Sequence, residues 1–219
     1  MKGRKIVREY RHGKRKSHAA ECVVIAFIIV VAIIVGMKVM HIGPFYEPDL
    51  SVPEWVTQDF LTPNEYSRPQ KPLGKVNNIV IHYVGNPGTT AKNNRDYFEN
   101  LKDTHTTKAS SHFIIGLEGE VIQCIPLNEY SYASNDRNGD TISIETCHLD
   151  ELGQYTSDTY QSMVRLSAFL CDKYRLTEDD LIRHYDVTGK LCPRYFVDHE
   201  DAWQQFKKDV SIALKNKDF

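Results

Sequence analysis

Cysteine is sparse in this 219-residue chain, with five in all. Cys124, Cys147 and Cys171 each fall in an apolar strand or helix pattern, so free buried thiols are expected instead of a disulfide framework. A Cys124–Cys171 bridge is the alternative. Internal repeats and low-complexity tracts are missing, which excludes a repeat array. Net charge is small, −2 over the whole chain. Residues 1–21 hold eight Lys/Arg against Glu9 and Glu21, a balance of +6, so the remainder carries −8. That remainder lacks the concentrated basic face a phosphate backbone requires, and nucleic acid is excluded as a partner. Long hydrophobic runs are lacking too, with one exception.

The exception is Cys22 to Met37, sixteen residues without a charge. Lys38 can snorkel outward so that Val39 to Gly43 extend the run toward the ~20 residues a bilayer requires. A buried core helix or a cleaved signal peptide is the alternative, but the run has no amphipathic face and no small-x-small cleavage pattern follows. The reading is a basic cytoplasmic tail over 1–21 and a transmembrane signal-anchor over 22–43. By the positive-inside rule the chain crosses the cell membrane once, with its N-terminus cytoplasmic and the rest extracellular.

Six of the nine prolines (Pro44, Pro48, Pro53, Pro63, Pro69, Pro72) follow within residues 44–72. Such a segment is neither a continuous helix nor a central strand. It reads as a stalk that could span on the order of 90 Å when extended. Trp55, Val56, Phe60 and Leu61 are too apolar for a solvated linker, so its second half is expected to dock on the domain at 73–219, with folded structure starting near residue 54.

Hydrophobic periodicity over 73–219 alternates between strand and helix. Strands are expected over Val76–Val84, His112–Leu117, Val121–Ile125 and Thr141–His148, the middle two as a hairpin about Glu118-Gly119. Helices are expected from a Thr89 or Thr90 cap to about Lys102, from about Ser157 to Tyr174, and from about His199 to Lys215. The fold class is α/β, a single domain with a mixed central β-sheet flanked by helices and preceded by one transmembrane helix.

Chemistry gathers at His82, which closes an apolar strand, and at His184-Tyr-Asp-Val-Thr-Gly-Lys-Leu-Cys192-Pro193. Two histidines and a cysteine make three metal ligands and leave a fourth position open, the arrangement of a hydrolytic zinc site. His184 and Cys192 are expected on a loop, with Lys190 as a cation where an oxyanion would form. Glu145 interrupts the buried strand Ile142-Ser-Ile-Glu-Thr-Cys, and an unpaired charge there needs compensation. A metal, or water on it, would supply that, while a salt-bridged sheet carboxylate is the bland reading. Asp186 either orients a ligand histidine or caps its own loop. His112 is read as a structural or ligand-supporting residue. His105, His148 and His199 have no comparable partner pattern.

With those residues in view, the chain resembles the zinc-dependent N-acetylmuramoyl-L-alanine amidases, the family that includes phage amidase lysozymes and peptidoglycan-recognition proteins. The resemblance covers about residues 73–200 and rests on Ile-Val-Ile-His82-Tyr-Val-Gly-Asn-Pro-Gly, Ser-Ser-His112-Phe-Ile-Ile-Gly, Ile-Ser-Ile-Glu145-Thr-Cys and His184-Tyr-Asp-Val-Thr-Gly-Lys190-Leu-Cys192-Pro. It implies a Zn2+ ion on His82, His184 and Cys192, Glu145 as catalytic carboxylate and Lys190 at the oxyanion. It also implies a peptidoglycan substrate, cut between N-acetylmuramic acid and L-alanine of the stem peptide; an outward-facing domain on a stalk would meet that polymer beside its own membrane, so a single-membrane, Gram-positive-type cell is the expected setting. Two departures stand out. Ser111 occupies a position where some members place a catalytic tyrosine, and Tyr130-Ser-Tyr-Ala-Ser134 lacks a histidine many relatives have. A non-catalytic peptidoglycan-binding protein and a zinc peptidase acting within the stem peptide are the alternatives.

Overall fold

The computed structural model describes residues 18–39 and 49–219, and the chain divides into two compact units, Met1–Asp49 and Leu50–Phe219. In the first, helix α1 spans His18–Val39. Its apolar side chains are exposed all around, Val23 at 69% and Phe27 at 67% among them, so no single stripe is reserved for a core. The side chains described in α1 cover only residues 21–37. Among the described residues no helix is long and apolar enough to cross a membrane. Most of the basic tail, the end of the apolar run and the start of the stalk lie outside the described residues.

The second unit is built on six strands: β1 (Val56–Gln58), β2 (Asn78–Tyr83), β3 (Phe113–Ile115), β4 (Val121–Gln123), β5 (Thr141–Thr146) and β6 (Leu181–Arg183). Their order in the sheet is β1-β4-β3-β5-β2-β6. Only the β3–β4 hairpin is antiparallel; the other neighbouring pairs run parallel, which makes the sheet mixed as its pattern predicts. Helices α2 (Ala91–Thr104), α3 (Ser157–Tyr174), α4 (His184–Thr188), α5 (Arg194–Asp198) and α6 (Glu200–Asn216) complete the unit.

Side-chain alternation along the strands divides the core in two. Ile79, Ile81, Phe113, Ile115, Ile142 and Ile144 pack with Met163 and Leu170 of α3 and Phe206 and Val210 of α6. Ile114, Ile122 and Cys147 pack on the other face with Phe98 and Leu101 of α2. Helix α2 begins at Thr90, whose hydroxyl accepts from the Asn93 amide while the Asn93 side chain accepts from the Thr90 amide. Thr156 caps α3 in the same manner, accepting from the Thr159 amide.

The apolar residues upstream of 73 are part of this fold. Strand β1 pairs in parallel with β4, Val56 facing Val121. The Leu61 amide donates to the Cys124 carbonyl at 2.9 Å, and its side chain is fully buried in the α2 cluster. One expectation is corrected, while the last helix falls where it is expected. His184 does not lie on a loop: it opens the short helix α4, because Asp186 caps the Arg183 amide at 2.8 Å. The last helix is preceded by a separate turn, α5, and the break falls at His199. Cys22, Cys124, Cys147, Cys171 and Cys192 are all free, so the Cys124–Cys171 bridge is not formed.

Candidate metal centre

Strand direction assembles the site. β5, β2 and β6 lie side by side and run the same way, so their carboxyl ends share one edge of the sheet, where open α/β sheets commonly place ligands. Glu145 is the register partner of His82, and Ile81 is the partner of Arg183, the residue before His184. Three residues distant in sequence therefore meet at neighbouring strand ends. Cys192 returns to them because Gly189, at φ 77°, ends α4 in a left-handed turn and the Tyr185 amide donates to the Cys192 carbonyl at 2.9 Å.

The donor atoms of His82, His184 and Cys192 lie within 4.8 Å of one another, and all three residues are buried. Sγ of Cys192 is 3.8 Å from Nδ1 of His82, and the two imidazole centroids are 4.7 Å apart. Each ring is anchored through its other nitrogen. Nε2 of His82 meets the Ser134 hydroxyl at 3.2 Å, and Nε2 of His184 meets Oδ1 of Asn135 at 2.8 Å. A carboxamide oxygen only accepts, so His184 carries its proton on Nε2 and leaves the Nδ1 lone pair free for a metal.

Electrostatics point the same way. Burial first, then the neighbouring His184 and Lys190, hold the His82 pKa well below its ordinary value, and burial, then Lys190, lower that of His184, so both rings are biased toward the neutral, metal-binding form. Burial, with the Glu145 charge next, pushes the Cys192 thiol up to about 12, so a thiolate here requires a cation on the sulfur. Burial raises Glu145 to about 8, against the opposing pull of Lys190, and its Oε2 is buried with no hydrogen-bond partner. Two imidazoles, one thiol and an orphaned carboxylate oxygen are a donor set that fits zinc. These groups line a cavity of about 290 Å³ together with Lys190, Lys108, Tyr132, Asn135 and Asn138.

The remaining candidates fall elsewhere. Asp186 is held by the Arg183 guanidinium at 2.9 Å and caps α4, so it shapes the turn instead of bonding a ligand ring. His112 is fully buried between the Glu129 carbonyl at 2.9 Å from Nε2 and the Ser143 amide at 3.1 Å from Nδ1, a structural role. Burial lowers its pKa to about 4, the Glu129 carbonyl opposing. His148 packs on Tyr83 with its Nδ1 bonded to the Asp150 carbonyl, and His105 closes α2. The Ser111 hydroxyl is buried and donates to the Ser143 carbonyl at 3.0 Å, away from the cavity lining. Tyr132 stands on the cavity wall within the segment that lacks the relatives' histidine. Ser134 and Asn135 have no periodic or charge pattern in the sequence, and only their contacts reveal them.

A mixed sheet thus carries two imidazoles and a thiol, the donor set for one metal ion, beside a buried carboxylate at its carboxyl edge. The chain belongs to the N-acetylmuramoyl-L-alanine amidase family (Amidase_2), whose model matches residues 72–195. It is similar to the N-acetylmuramoyl-L-alanine amidase CwlL of Bacillus licheniformis, 36% identical over 175 residues, covering 74% of this chain and 48% of the relative. BlyA of Bacillus subtilis (strain 168), also an N-acetylmuramoyl-L-alanine amidase, is 33% identical over 182 residues with the same two coverages. The chain thus spans about half the length of the curated relatives it matches. Among solved structures, a mutant endolysin from Bacillus subtilis superposes with TM-score 0.60 at 25% identity, covering 71% of this chain and 97% of that one.

Proposed function

We propose that this protein is a membrane-anchored, zinc-dependent N-acetylmuramoyl-L-alanine amidase that cuts peptidoglycan between N-acetylmuramic acid and L-alanine. The observation that carries the reading is the convergence of His82, His184 and Cys192 within 4.8 Å beside an unpartnered Glu145 oxygen. His82, His184 and Cys192 would hold the ion. An ion held there would supply Lewis acidity toward the scissile carbonyl and the attacking water. Glu145 accepts the proton of the attacking water and returns it to the leaving amine nitrogen as the C–N bond breaks. Burial, which raises its pKa, favours holding the proton between those two transfers. Lys190, a cavity-lining cation whose field already lowers the pKa of His82, His184 and Glu145, stabilises the oxyanion that develops on the carbonyl oxygen. Retention of both the donor set and Glu145 argues against a binding-only role.

Anchorage is supported by α1 and the charges before it. The uncharged run from Cys22 to Met37 within it, lengthened by a snorkelling Lys38, approaches the ~20 residues a bilayer requires. Cations crowd its N-terminal side, so the domain from Leu50 onward faces outward, toward the wall.

The test is product analysis. Purified cell wall digested with the zinc-loaded chain gains L-alanine amino termini and no reducing sugar ends, and Glu145→Gln gains neither. New amino termini at other stem residues would establish the peptidase instead, and tight wall binding without cleavage would establish a binding protein. Carbonate-resistant sedimentation with membranes, and digestion of the domain by protease added outside intact cells stripped of wall, check the anchorage; release into the soluble fraction refutes it.

A further inference from the structure

One wall of the cavity continues outward as a row of cations and aromatic rings that the hydrolytic step does not use. Nζ of Lys108 lies 5.6 Å over the Tyr132 ring. Tyr132 meets Tyr130 edge to face with centroids 5.2 Å apart, and Nζ of Lys71 lies 5.5 Å over the Tyr130 ring. Lys108 and Tyr132 line the cavity itself, and Lys71 stands one ring further out.

Backbone contacts build this row in. The Tyr130 amide donates to the Lys71 carbonyl at 2.9 Å, and the Ser110 amide donates to the Tyr132 carbonyl at 3.2 Å. The Tyr132 amide donates to the Ser110 hydroxyl at 2.9 Å, and the Asn138 side chain donates to the Tyr130 hydroxyl at 3.2 Å. Both tyrosines are half-buried, each with one ring face covered by an ammonium group.

The charge of the row is uncompensated. Neither Lys71 nor Lys108 has a carboxylate partner among the described residues, and the neighbouring acid, Glu129, is taken by Arg68 through two contacts of 2.8 and 2.7 Å. Glu145 is the sole acid among the described residues lining the cavity. An incoming anion would therefore gain attraction from both ammonium groups without displacing an existing ion pair. Lysine is a point charge on a flexible stem, so two lysines set apart by two edge-to-face rings match carboxylates spaced along an extended chain better than one multivalent anion. The ring faces supply apolar contact for the chain between those charges.

We propose that Lys71, Tyr130, Tyr132 and Lys108 form a subsite for the free carboxylates of an extended peptide, selecting acidic stem peptides over their amidated counterparts. The inference takes from the amidase reading only that a stem peptide is what enters the cavity.

The experiment uses the full chain carrying Glu145→Gln, so that no turnover interferes, and calorimetric titration with two synthetic N-acetylmuramyl peptides. They are identical except that two successive acid-bearing residues of the stem carry free carboxylates in one and carboxamides in the other. The carboxylate form is expected to bind about fivefold more tightly for each ammonium it engages, the scale of a partly exposed ion pair. Lys108→Gln and Lys71→Gln should each shrink the preference, and the double variant should abolish it. Equal affinity for the two peptides, or a preference that persists in the double variant, overturns the proposal. Should the unsubstituted chain release no L-alanine amine while the binding preference holds, the amidase reading falls and the subsite stands.

Discussion

Glu145 and His82 are register partners on the adjacent parallel strands β5 and β2, and both turn away from the α3/α6 core. Neighbouring strands are held about 4.8 Å apart by the ladder, so the carboxylate and the His82 imidazole keep a separation the sheet enforces. Replacing Glu145 by glutamine keeps the shape and removes the proton acceptor. Turnover of cell wall should fall by about 10²–10⁴-fold, the usual worth of a positioned acid–base group. Zinc content measured by atomic absorption should be unchanged; loss of zinc together with activity would make Glu145 a ligand-side residue instead.

Ser134 and Asn135 hold the two imidazoles from behind, whereas Asp186 holds Arg183. Asn135 sits at φ 53°, so glycine is the substitution that removes its carboxamide without adding backbone strain. Asn135→Gly should weaken zinc binding by about 10–100-fold in competition with a chromophoric chelator. Asp186→Asn should leave zinc affinity nearly unchanged and lower the unfolding free energy by about 1 kcal/mol, through loss of the ion pair with Arg183. The opposite pattern would reassign Asp186 to the metal centre.

Leu61 tests whether the proline-rich approach is structural. Its side chain is fully buried among Phe98, Leu101 and Ile114. Leu61→Ala should cost about 2–5 kcal/mol in urea unfolding, as for a core leucine. A loss below roughly 0.5 kcal/mol, typical of a surface site, would show that the arm undocks freely.

Glu99 links that arm to α2 and supplies a pH dependence. Burial alone would raise its pKa, but the Thr62 hydroxyl and amide, Lys102 and Arg95 together outweigh burial and bring it down to about 2. The folded pKa lies below the unfolded carboxylate value of ~4.3, so the stabilisation is complete above that value and is lost as pH falls through the folded one. Screening limits it to the order of 1 kcal/mol. Urea midpoints measured from pH 6 to pH 2 should drop more steeply in the parent than in Glu99→Gln. Parallel curves would remove Glu99 from the acid response.

Much of this arrangement is written locally along the chain. Alternating Ile79, Ile81, Ile142 and Ile144 define strands whose one face must be covered, and the 3.6-residue spacing from Tyr160 to Tyr174 defines the helix that covers it. The residue types at His82, Glu145, Lys190 and Cys192 declare their chemistry because ligation and proton transfer need particular atoms, whatever the fold. Only the tertiary structure decided which of them meet. Parallel pairing of β5, β2 and β6 brings three strand ends to one edge, a matter of long-range register that no local pattern encodes. The same holds for Ser134 and Asn135, ordinary turn residues until the chain closes over both histidines, and for Asp186, whose carboxylate pairs with the nearby Arg183 and not with a ligand.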